Sequence, residues 1–73
     1  KLGNLDQAVE NYRRAVKIVP SDTNFNYNLA VALFKKKKFI EAKDIFEKIF
    51  SQVLDSEMKR MINKYLDMIE KHN

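Results

Sequence analysis

An all-α fold is predicted by three features of this chain. Apolar residues recur every three to four positions along four segments, turn formers are scarce, and the length suits about four short helices. The 73 residues include one Gly and one Pro, where average usage would give about five and four. An all-β chain needs a turn residue every few positions, so that class is excluded. Hydrophobic residues make up 45%, which rules out wholesale disorder. No apolar run approaches the ~18 residues of a membrane span. At this length residues 1–73 form at most one domain, near the size where a single core barely suffices. The lack of Cys removes a disulfide framework, a thiolate zinc site and a cysteine nucleophile. The chain does not begin with Met and shows no signal-peptide stretch, so any targeting segment is expected to lie outside it or not to exist. The compartment is left open, the lack of Cys being compatible with a cytoplasmic one.

The first helix is expected over Leu5–Val19. Leu5, Ala8, Val9, Tyr12, Ala15, Val16 and Val19 share one face of a 3.6-residue turn. Asn4 is a candidate N-cap, with Gln7 completing a capping-box variant. Pro20 ends the helix, because the residue before proline is driven out of the helical region. Ser21 or Asp22 can cap a second helix through Phe25, Leu29, Ala30, Leu33 and Phe34. Tyr27, Val31 and Ala32 widen its apolar surface, so it should be flanked on more than one side. Lys35–Lys38 close it with cations that suit the helix dipole.

A third helix begins at Phe39, with Ala42, Ile45, Phe46, Ile49, Phe50 and Val53 on one face. A fourth follows Ser56 as N-cap, carrying Met58, Met61, Ile62, Tyr65, Met68 and Ile69. Its other face, Lys59, Arg60, Asn63, Lys64, Asp67, Glu70 and Lys71, is expected to be solvated. Short loops make neighbouring helices antiparallel.

Shifting the chain against itself by 34 residues superposes Leu5 on Phe39, Ala8 on Ala42, Tyr12 on Phe46 and Val16 on Phe50. An alanine lets a neighbouring backbone approach, and the aromatic one turn later fills the space beside it. Helix–turn–helix units of this period resemble the tetratricopeptide repeat (TPR), W-x2-L-G-x2-Y…A-x3-F…P. Gly3, Ala8, Tyr12 and Pro20 match the second half of one repeat. Leu29, Ala30, Leu33, Ala42 and Phe46 match a complete one, with Asn26, Ala30, Leu33 and Leu54 standing where Trp, Gly, Tyr and Pro are usual. Met58, Met61, Ile62 and Tyr65 reproduce the opening spacing after a connection two residues shorter. The resemblance implies a short right-handed solenoid of stacked antiparallel helix pairs. It divides as a half repeat (1–20), a complete repeat (21–54) and a terminal or capping helix (55–73). Repeats are stabilised by their neighbours, so part of the first helix's apolar face should be covered by something beyond this sequence.

Catalytic chemistry is not expected. His72, the single histidine, sits near the end and reads as a frayed residue. Ser21, Ser51 and Ser56 have no histidine to activate them. Glu41, Asp44 and Glu47 alternate with Lys43 and Lys48 as a salt-bridged face. One Gly excludes a phosphate loop, and no cofactor or metal is implied. Lys35–Lys38 lacks interleaved aromatics for stacking on bases, so nucleic acid is not expected as a partner. Met58, Met61 and Met68 read as core more readily than as an adaptable interface.

By the TPR resemblance, the first helices of the repeats line a concave groove for a peptide or partner segment. Carried onto this chain, the groove residues are Asn24, Tyr27, Asn28, Val31 and Lys35. In the shortened register of the last helix they are Lys59, Arg60 and Asn63. Asn28 could bond a peptide backbone, and Arg60 could fork onto a carboxylate. This pairing resembles part of the carboxylate clamp of TPR co-chaperones, which holds acidic C-terminal tails, though Ser56 stands where a second clamp lysine belongs. The expected function is a protein–protein interaction scaffold whose partner is a protein or peptide, with an acidic C-terminal segment as one form. The net charge of +4 agrees. The alternative is a structural or self-association segment whose unpaired terminal helices pack on copies of themselves.

Overall fold

The computed structural model describes residues 2–72, so Lys1 and Asn73 lie outside the described residues, and Leu2 and Gly3 are described by their backbone alone. Four helices follow one another: α1 (Leu2–Ile18), α2 (Thr23–Lys35), α3 (Phe39–Phe50) and α4 (Ser56–Lys71). α1 starts ahead of Asn4, so that residue lies inside the helix and does not cap it. Its end agrees with the proline rule, since helix geometry stops at Ile18. Asp22 caps α2, its carboxylate accepting from the Phe25 N–H at 3.0 Å. The α4 cap is Asp55 and not Ser56. Its side chain accepts from the Glu57 amide, and Ser56 becomes the first helical residue. A carboxylate at this position also complements the helix dipole, which a serine hydroxyl does less strongly.

The chain reverses between α2 and α3 within three residues. The Lys38 N–H donates to the Leu33 carbonyl and the Lys37 N–H to that of Phe34, each at 2.9 Å. This bond pair closes a Schellman turn, which requires a left-handed residue after the C-cap. Lys37 fills that place with φ 66°, although it has a Cβ where glycine has none.

Ion pairs and ring contacts show the helix directions. Lys36, after α2, pairs with Asp6 near the start of α1. His72, after α4, stacks on Phe39 at the start of α3, ring centroids 4.5 Å apart. Both hairpins are therefore antiparallel. The Phe39 contact also corrects the expectation that His72 is merely frayed. Across the hairpins, Arg13 of α1 meets Glu41 of α3 at 3.0 Å. Glu41 thus takes its partner from another helix instead of from Lys43 or Lys48. Tyr65 of α4 lies against Phe34 and Tyr27 of α2, at 5.1 and 6.2 Å. α1 and α3 form one layer, α2 and α4 the other. The slab measures 31 × 31 × 17 Å, its short dimension two helices deep at the usual spacing of about 8–10 Å.

The core lies between the layers. Ala30, Leu33, Ala42, Phe46, Ile49 and Ile62 are fully buried, and each larger one contributes about 1.5–3 kcal/mol by leaving water. Val53 is also buried although it follows the end of α3, its N–H returning to the Ile49 carbonyl at 2.9 Å. Met61 and Met68 do not join the core: they remain 39% and 38% exposed, while Ile62 and Ile69 take the inner face of α4. Lys59 departs from its expected solvated state, its ammonium standing 5.4 Å from the Phe50 ring centroid.

One buried polar residue fastens the fold locally. Asn26, 4% exposed, occupies the position where the repeat pattern has tryptophan. Its amide donates to the carbonyls of Pro20 at 3.0 Å and Asp22 at 2.9 Å. Its buried amide is satisfied by these two bonds, which tie down the α1–α2 turn.

Candidate functional site

The packing of α2 between α1 and α3, with Tyr65 of α4 beside it, leaves one face of α2 open. Tyr27, Asn28, Val31 and Lys35 recur at three- and four-residue intervals, so they form a single stripe along it. Leu5, Ala8 and Tyr12 of α1 form one wall of the resulting groove, and Tyr65 of α4 stands at the other. The volume enclosed is about 310 Å³. The α1 wall exists because Ala8 and Tyr12 are incompletely covered, in contrast to their fully buried 34-residue counterparts Ala42 and Phe46.

The groove floor is aliphatic and its rim polar. Tyr12, Tyr27 and Tyr65 are half-buried, and Asn28 and Lys35 are exposed. The described lining includes a lysine and no carboxylate, so the groove carries positive charge. Burial, and after it the neighbouring Tyr65 phenol, pushes the Tyr27 hydroxyl above the usual 10.0. At neutral pH that hydroxyl is therefore a proton-bearing hydrogen-bond donor. Phe46 supports both rings from below. It is stacked on Tyr65 at 5.1 Å and edge-on to Tyr27 at 6.0 Å, so the buried aromatic of α3 orients two of the three tyrosines.

The structure distributes the expected site residues over two surfaces. Tyr27, Asn28, Val31 and Lys35 come together in the groove. Asn24 lies one turn earlier on α2, exposed and outside the lining. Lys59, Arg60 and Asn63 are not brought to it. On a helix advancing about 100° per residue, Arg60 and Asn63 sit roughly 140° and 160° around α4 from Tyr65, the residue that reaches the groove. Lys59 turns toward Phe50 of α3. Tyr65, Tyr12, Leu5 and Ala8 were absent from the expected set. Their apolar spacing marked them as packing residues, and only the open side of α1 shows that part of that face lines a cleft.

Elsewhere a broader depression of about 530 Å³ runs along Asp6, Gln7, Glu10, Asn11 and Arg14. All five belong to α1, so no second element converges on it. Among the described residues no three His, Asp or Glu side chains gather as a metal site, and no helix is long and apolar enough to cross a membrane.

Comparison with known proteins agrees with the two-layer stack. The family described as TPR repeat matches residues 1–37, half of the chain. The surface lipoprotein assembly modifier of Moraxella catarrhalis is 28% identical over 71 residues, which is 97% of this chain and 14% of that protein. The chain therefore spans a small part of the curated relative that it matches. No solved structure matches it. With the repeat, the buried Ala42–Phe46 pair and the family match in agreement, the chain belongs to the tetratricopeptide repeat family.

Proposed function

We propose that this chain is a protein–protein interaction module that holds a partner segment in the α2 groove. The observation that carries this reading is the convergence of Tyr27, Asn28, Val31 and Lys35 with Tyr12 and Tyr65 around one cleft. An aliphatic floor gains by excluding water, while polar tips at the rim set the orientation of what binds. Lys35 favours a segment that brings a carboxylate to its end of the groove. The family's general association with protein interaction supports the same class, and so does the description of the Moraxella protein as an assembly modifier. Residues 1–20, 21–54 and 55–73 act in this reading as a half repeat, a complete repeat and a capping helix. Asn24 extends the contact stripe along α2. Lys59, Arg60 and Asn63 form a separate polar stripe that a longer partner could reach around α4.

The test uses a fluorescein-labelled octapeptide with two C-terminal aspartates, titrated with the whole chain. Asn28→Ala and Lys35→Glu should each weaken binding about five- to tenfold, the loss of one charge-assisted or amide hydrogen bond. Arg60→Ala should change it less than twofold. Unaltered affinity in both α2 variants, with helicity retained, would sink the groove assignment.

A further inference from the structure

The groove's polar equipment is unequal. Three phenol hydroxyls, the Asn28 amide and the Lys35 ammonium supply donors. Acceptors that can do nothing else, the carboxylates, are absent from the described lining. A ligand rich in acceptors complements these groups. A proline-rich backbone has that character, since each proline retains its carbonyl and lacks an N–H. The aromatic lining fits the same ligand. Tyrosine bodies present flat apolar faces to pyrrolidine rings while their hydroxyls reach backbone carbonyls, as in known grooves for polyproline II segments. Such a segment is already extended and stiff, so an open, shallow groove can bind it with little ordering cost.

We infer that the partner segment is a proline-rich stretch in polyproline II form, with an acidic residue flanking it at the Lys35 end. The inference rests on the groove reading above and names the chemistry of its occupant. The rigid support of Tyr27 and Tyr65 by Phe46 keeps the donors in place before the ligand arrives.

Three labelled peptides test it against the whole chain by fluorescence anisotropy: hexaproline followed by two aspartates, the same peptide with serine for proline, and hexaproline with neutral ends. The proline–aspartate peptide should bind about tenfold more tightly than its serine analogue. Tyr12→Phe and Tyr65→Phe keep the rings, and each should weaken that binding about three- to tenfold by removing one donor. Lys35→Glu should weaken the acidic proline peptide and leave the neutral one within twofold. Equal binding of the proline and serine peptides, or full affinity in both phenylalanine variants, overturns the proline inference while the groove reading stands. If neither acidic peptide binds, both fall together.

Discussion

α1 and α3 carry the same small–aromatic pattern 34 residues apart, yet they have different environments. In α3, Ala42, Phe46 and Ile49 are sealed from water. In α1, Ala8, Tyr12 and Ala15 remain partly exposed. The cause is the number of neighbours. α3 packs against α2 and α4, whereas α1 packs mainly against α2 and reaches α3 through the Arg13–Glu41 pair. In a stacked array, burial is a property of the interface and not of the helix that carries the pattern. The same residues therefore make a core in one place and a cleft wall in the other.

The largest effect that could break this comparison is at its aromatic pair. Phe46→Ala should cost about 3–5 kcal/mol, and Tyr12→Ala less, because Tyr12 is partly open to water whereas Phe46 is fully buried. Urea midpoints of the two variants decide it, and equal losses would refute the neighbour argument. Next comes the buried amide. Asn26→Ala removes both bonds to the α1–α2 turn and should cost about 1–3 kcal/mol. The corresponding α3–α4 turn has no such fastening among the described residues, so alanine at Gln52 should change stability by less than about 0.5 kcal/mol.

A smaller effect, of opposite sign, sharpens the sealed side. Lys37→Gly removes the Cβ from a left-handed residue and should raise stability by about 1 kcal/mol, read as a higher denaturation midpoint. The smallest is a pH effect on the groove side. Tyr27 holds its proton more tightly when folded, so its contribution is fully present below pH 10.0, the unfolded value, and is lost as pH rises through the higher folded value. Thermal melts at pH 9 and pH 11 should show a larger drop for the native chain than for Tyr27→Phe. Equal drops would remove Tyr27 as the cause.

Much of the architecture was legible because helical periodicity and a 34-residue self-match survive in the sequence. Leu29, Ala30 and Leu33 pack as their spacing predicts, and Ala42 is buried where close approach requires a small residue. The end residues were harder to read. Asn4 and Ser56 have good capping chemistry, but the helices begin elsewhere, and competition with Asp55 is decided by geometry that spacing does not encode. The site was half legible. The α2 stripe follows from spacing on one helix, whereas the rotation of α4 depends on how Ile62 and Ile69 find the interior. That rotation brings Tyr65 to the cleft and carries Arg60 away from it. Met61 and Met68 share the apolar spacing of the α4 core, and their exposure reflects the limited width of what α2 and α3 can cover.

The tie made by Asn26 also sets the order in which the stack comes apart. The turn leading out of α1 is held at its Pro20 carbonyl from within α2, whereas no such side-chain bond spans the turn into α4 among the described residues. Amide protons of α4 should therefore exchange with solvent sooner than those of α1. A partner gripping the cleft would slow exchange most along α2, the strip that α1 and α3 lean upon.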